Sequence, residues 1–144
     1  MQKPEQLVWQ SLRPLLVAAG AVVQRHEDKY SVGIPDVSVV YGGRSGWIEL
    51  KAARTSHTPL KLRDAQHNWM ASRTNAGCPS FILAHVAGGR WYGGVIGHGY
   101  INPRDLWEPT SCSGLVALGG CSSVDPVELV RDLIGVYLPL VGSN

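Results

Sequence analysis

Asp36, Glu49 and Lys51 are of a type and spacing that could do chemistry together. Asp36 closes the stretch Gly33-Ile34-Pro35-Asp36, and after twelve intervening residues Glu49, Leu50 and Lys51 follow one another. On a strand, residues two apart point to the same face, so Glu49 and Lys51 stand together while Ile48 and Leu50 face the other way. A hairpin turning through Gly42-Gly43-Arg44-Ser45-Gly46 brings Asp36 beside them. Two carboxylates and an ammonium then meet at one end of a sheet, and two explanations fit. In one, Lys51 neutralises the carboxylates on an exposed strand end and the group has no further role. In the other, two hard oxygen ligands bind Mg2+, the Leu50 backbone carbonyl adds a further oxygen, and Lys51 holds or deprotonates a water for attack on a phosphodiester.

The elements that must position this group are written as patterns along the chain. Leu7, Val8, Leu12, Leu15 and Leu16 fall at helical spacing within residues 4–19, and Gly20 ends the pattern. Pro4 and Glu5 suit the first turn of that helix, whereas Pro14 predicts a kink or a division. Residues 21–25, 37–41 and 47–51 read as strands, and residues 81–86 and 91–96 as two more around Gly88-Gly89. Leu62, Ala65, Trp69 and Met70 predict a helix over 59–75 that closes on Gly77. Asp125-Pro126-Val127-Glu128 is a helix start, with the helix running to about residue 137. Residues 110–123 are rich in Gly and Ser and read as a loop. The order of elements predicts an α/β sandwich around a mixed central sheet.

The 144 residues are 44% hydrophobic and 17% charged, which suits one folded domain over 1–144. Apolar runs such as 15–19 and 81–84 are too short to span a bilayer, so no membrane partner is expected. The first residues lack the basic, apolar, small-residue order of a signal peptide, and the chain reads as cytoplasmic. Cys78, Cys112 and Cys121 leave one thiol unpaired and form no zinc-type pairs; a Cys112–Cys121 bridge stays open. The net charge of +2 divides unevenly: ten basic and six acidic residues in 1–75 give +4, and three against five in the remainder give −2. Between Lys51 and Arg73 five basic residues face only Asp64, which makes that stretch either a phosphate contact or a solvated face. The run Gly93 to Gly99 lacks the strand-to-helix layout of a nucleotide-binding loop, so no nucleotide cofactor is expected. Trp9, Trp69, Trp91 and Trp107 read as core or dimer contacts rather than base-stacking platforms.

Pro35-Asp36 followed by Glu49-Leu50-Lys51 resembles the catalytic core of the PD-(D/E)XK nuclease superfamily. The details are most similar to its small VRR-NUC-like and Holliday-junction-resolvase-like branches, where a Gly-x-Pro-Asp turn precedes the strand and a Gln lies on the helix after Glu-x-Lys. Here those are Gly33-Ile34-Pro35-Asp36 and Gln66. The resemblance covers about residues 4–86 and leaves 87–144 as an extension of unread role. It implies a restriction-endonuclease-like core, a mixed central β-sheet flanked by helices. It also implies Asp36 and Glu49 as metal ligands, Lys51 as the catalytic lysine and Gln66 as a residue orienting water or phosphate. Glu5 looks like the first-helix acid that completes some such metal sites, against a plain helix-stabilising role; Glu27 and Asp28 compete for that place. Arg25 and Ser31 correspond to phosphate-contacting residues, while Arg54, Lys61 and Arg63 would track a DNA backbone, with His57 and Thr58 in the same loop.

The function so implied is a Mg2+-dependent DNA endonuclease, with Mn2+ substituting, selective for branched DNA such as a Holliday junction. Cutting two symmetric strands implies a homodimer, and such small nucleases resemble phage-encoded proteins acting in a prokaryotic host. The alternatives are a sequence-specific restriction-type endonuclease and a non-catalytic DNA-binding subunit with a nuclease fold. A triad that is accidental in an unrelated α/β protein is the remaining one.

Overall fold

The computed structural model describes residues 4–26, 33–54, 63–96, 122–123 and 125–136. In chain order the elements are α1 (Pro4–Ala18), β1 (Val22–Arg25), β2 (Val37–Tyr41), β3 (Arg44–Ala53), α2 (Asp64–Asn75), β4 (Ser80–Val86), β5 (Arg90–Ile96), β6 (Ser122–Ser123) and α3 (Pro126–Val136). The six strands form one sheet in sequence order. Among the described strands only β3 and β4 run parallel, and α2 lies in the crossover that a parallel pair requires. The fold is therefore α/β, a mixed sheet flanked by helices, as the sequence predicts.

Alternation along the strands divides the residues between two faces. Val37, Val39, Ile48, Leu50, Phe81, Leu83 and Trp91 point one way and form the core with Val8, Leu12 and Leu16 of α1 and Leu129, Val130, Leu133 and Ile134 of α3. The other face is covered by α2 over β4 and β5, through buried Met70, Thr74 and Gln66. Over β1 and β2 no described helix covers this second face, where Val22 is 70% and Val40 44% exposed.

Several boundaries differ from those read in the sequence, each for a local reason. Helix α1 is continuous through Pro14 rather than divided. The hairpin turns on two residues, not five: Tyr41 pairs with Arg44, and Gly42 and Gly43 take φ of 58° and 79°. Those left-handed values make the tight turn whose twist matches the strands, so β3 gains three residues before Trp47. Helix α2 begins at Asp64 because Arg63 is extended, with φ −69° and ψ 152°; the expected start at Pro59 lies outside the described residues. Ser122 and Ser123, expected in a loop, pair with Tyr92 and Trp91. At α3 the Asp125 side chain accepts a hydrogen bond from the Val127 N–H at 3.0 Å, the expected cap. Trp91 is in the core, Trp9 packs against it, and Trp107 lies outside the described residues, as do Cys112 and Cys121.

Gly33 fixes the turn that carries Asp36. Its φ of +94° lies in the left-handed region, and a Cβ there would sit 2.5 Å from the Ala65 carbonyl oxygen and 3.2 Å from Trp69 Cβ. The turn thus rests directly on the first turns of α2. Replacing Gly33 with Ala is expected to lower stability by about 1–3 kcal/mol, through backbone strain and displacement of this contact. Urea unfolding midpoints of the two proteins measure it.

Candidate active site

Strand β3 presents Trp47, Glu49 and Lys51 on the α2 face because Ile48 and Leu50 are committed to the core. The register Val37↔Ile48, continued by one residue, sets Asp36 opposite Glu49. His26 N–H donates to the Asp36 carbonyl at 2.7 Å, continuing the β1 ladder alongside. The Asp36 carboxylate is held in turn: its Oδ2 accepts from the Leu50 N–H at 2.9 Å. The sequence-level expectation that the hairpin joins Asp36, Glu49 and Lys51 thus agrees with the backbone register.

Glu49 is only 4% exposed, and its two oxygens have different surroundings. Oε2 accepts a 2.9 Å hydrogen bond from Gln66 Nε2 and lies 3.5 Å from Lys51 Nζ. Oε1 is buried without a hydrogen-bond partner. Gln66 is itself oriented, since its Oε1 accepts from the Arg63 N–H at 3.0 Å and so turns Nε2 toward Glu49. This is half of a capping box, a helix-start device that here also grips a carboxylate. Gln66 is thus not an exposed helix residue: it is buried, only 8% exposed.

The electrostatics follow from burial. Asp36 is held above the ordinary carboxylate range, chiefly because it is desolvated; the Leu50 N–H, Arg25 and Lys51 pull it back, and Glu5 pushes it further up. Glu49 is pushed up to about 7, first by burial and then by the neighbouring Asp36, with Lys51 and Gln66 opposing. The two acids are short of positive charge, and the unpartnered Glu49 Oε1 is where a cation would relieve it. A pair of hard carboxylate oxygens suits Mg2+. Among the described residues no third His, Cys, Asp or Glu completes a cluster of ligands. Glu5, half-buried on the first turn of α1, acts on Asp36 through its charge.

Arg25 ends β1 within electrostatic reach of Asp36, while Arg54 and Arg63 are exposed at the end of β3 and the start of α2. Ser31, Lys61, His57, Thr58, Glu27 and Asp28 lie outside the described residues. One feature escaped the sequence reading. His26 and Trp47 rings are 5.0 Å apart, Trp47 and Trp69 meet edge-on at 5.1 Å, and Arg73 lies 4.2 Å over the Trp69 ring. This aromatic wall joins β3 to α2 beside the carboxylates. Its sequence signal was the period-two spacing of Trp47 from Glu49.

No protein-family model matches the chain, and no curated protein matches it. Among solved structures it is similar to Hjc of Archaeoglobus fulgidus, a Holliday junction resolvase from an archaeal hyperthermophile. The TM-score is 0.60 at 15% identity, over 86% of this chain and 98% of that one. At that identity the likeness establishes the fold, a mixed sheet flanked by helices that spans nearly the whole of the resolvase chain.

The raised Glu49 carboxyl makes stability depend on pH in a definite direction. The folded state keeps its proton up to about pH 7, the unfolded state only to about 4.5, so stability falls as pH rises between those values. Metal-free protein is expected to be less stable at pH 8 than at pH 5 by roughly 2–3 kcal/mol from this group. The variant Glu49→Gln flattens the dependence, read from urea midpoints at the two pH values.

Proposed function

We propose that this chain is a divalent-metal-dependent DNA endonuclease of the PD-(D/E)XK type, selective for branched DNA. The observation that carries the reading is the pairing of Asp36 with a buried Glu49 whose one oxygen is fixed and whose other oxygen is buried without a hydrogen-bond partner. Support comes from the fold, shared with an archaeal protein described as a Holliday junction resolvase. That likeness favours the resolvase-like branch over the VRR-NUC-like one.

Asp36, Glu49 and the Leu50 carbonyl would hold Mg2+ or Mn2+, with Glu5 acting on the site through its charge. When bound, the cation supplies Lewis-acid polarisation of a phosphoryl oxygen and a water of lowered pKa. The chain's own residues do the rest. Lys51 keeps an ammonium beside Glu49, where it can hold the attacking water and face the charge that develops on phosphorus. Gln66 keeps Glu49 from rotating, so the unpartnered Oε1 stays available to a cation. Arg25, Arg54, Arg63, Lys61 and Ser31 are assigned to the DNA backbone, an affinity that weakens with salt and reads no sequence. Two symmetric cuts need two sites, so the active species is a homodimer.

The test is incubation of wild type and variants with labelled four-way junction, Y-shaped, duplex and single-stranded DNA, with Mg2+, Mn2+ or chelator. Wild type is expected to cut the junction only with metal, while Asp36→Ala and Lys51→Ala lose at least about 100-fold in rate and remain folded. Full activity of Asp36→Ala overturns the proposal. Shifted but uncut DNA would assign the chain to a non-catalytic binding subunit, and cutting of plain duplex at one sequence to a restriction-type enzyme. A monomeric mass on the junction would remove the homodimer. The variant Gln66→Ala is expected to raise the metal concentration for half-maximal rate by about 10–100-fold, the usual effect of losing a residue that orients a ligand.

A further inference from the structure

At the hairpin end of the sheet, Tyr41, Gly42, Arg44, Arg131 and Ile134 line a cavity of about 190 Å3. Tyr41 and Arg44 are register partners and share the face toward α3, which brings Arg131 and Ile134 over them. No carboxylate lines the cavity. Neither guanidinium, nor the Tyr41 phenol, has a hydrogen-bond or ion-pair partner among the described residues. Three side chains that carry donors, two of them cationic, therefore line one space.

A Cβ on Gly135 of α3 would stand 3.2 Å from Arg44 Nη1, so the guanidinium rests closely against the helix backbone at this glycine and would have to shift by a few tenths of an ångström for a larger residue. Glycine within a helix weakens it relative to alanine, so this helix carries a local cost at the point where Arg44 rests. Two guanidiniums also repel each other across a shared cavity, and a bridging anion removes that repulsion. Guanidinium forks and a phenol O–H match the oxygens of a phosphate group.

We propose that Tyr41, Arg44 and Arg131 form a second phosphate site, which holds a DNA backbone phosphate remote from the bond that is cut. This rests on the nuclease reading for the identity of the ligand. Arg44 precedes Lys51 by seven residues on β3, roughly 23 Å at about 3.3 Å per residue. It also faces the opposite side of the sheet from Glu49 and Lys51. A straight duplex on the catalytic face does not reach both places, whereas DNA that bends or branches round the hairpin end does. The site thereby favours branched substrates without touching a base.

The experiment is fluorescence anisotropy of a labelled four-way junction and of a ten-base-pair duplex, in chelator, between 50 and 200 mM salt. Wild type is compared with the double variant Arg44→Gln/Arg131→Gln. The plot of log affinity against log salt is expected to become shallower by about 1 for each copy of the site engaged on the junction, the step for its one phosphate no longer neutralised, and to stay the same for the duplex. Equal junction slopes overturn the proposal, as does an equal weakening on the short duplex. If the double variant fails to fold, Arg131→Gln alone, at an exposed side chain, is expected to lower the slope by about 1. Should wild type bind no DNA, the nuclease reading fails, and titration with inorganic phosphate decides the cavity separately. Thermal stabilisation by phosphate that is absent from the double variant keeps the anion site, and none in wild type overturns it. Phosphate stabilisation combined with unchanged junction slopes assigns the cavity to a free anion and overturns the DNA version.

Discussion

A carboxylate buried beside another carboxylate is the constraint around which this molecule is arranged. Glu49 is almost fully removed from water and Asp36 stands across the ladder from it, so each disfavours the charge of the other. The fold answers with donors from three separate sources: the Leu50 N–H, the Lys51 ammonium, and the Gln66 amide from α2. Those donors engage Asp36 Oδ2 and Glu49 Oε2 and leave Glu49 Oε1 bare. The arrangement holds two acids together against their repulsion while keeping one oxygen free of internal partners.

Holding the acids this way requires α2 to be placed accurately, although α2 has little apolar surface with which to dock. Met70 and Thr74 are its buried face, and Gln66 is its third buried residue. Accuracy comes from backbone contact. Gly33 presses on Ala65 within the first turns of the helix, and the edge-on rings of Trp47 and Trp69 fix the other side. The Gly-Ile-Pro-Asp turn therefore has two duties, carrying Asp36 and seating the helix that orients Glu49.

The heart of the site was legible because it depends on short-range arithmetic. Hairpin register and period-two alternation are enough to set Asp36 opposite Glu49 and Lys51 beside it. What was missed depends on placement in space or on weak signals. The grip of Gln66 on Glu49 needs the position of α2, which no local pattern supplies. The start of α2 at Asp64 has only a weak local signal, because its cap, Arg63, is marked by nothing but Gln66 three positions on. The tight hairpin was written in the Gly42-Gly43 pair, yet the neighbouring Ser and Gly suggested a longer turn. Ser122 and Ser123 carry no apolar signature, so their pairing with β5 is a tertiary fact. Tyr41, Arg44 and Arg131 meet only because α3 returns across the first hairpin.

The alternation along β3 ties chemistry to folding fidelity. Ile48 and Leu50 sit in the core, while Glu49 and Lys51 occupy the other face of the same four-residue stretch. A slip of one residue between β2 and β3 would drive both charges into the apolar layer and expose the two aliphatic side chains. Such a misregistered chain could neither bury its core nor assemble its acids. Proofreading of the strand pairing is thus performed by the hydrophobic layer itself, and a molecule that passes it emerges with its acids already assembled.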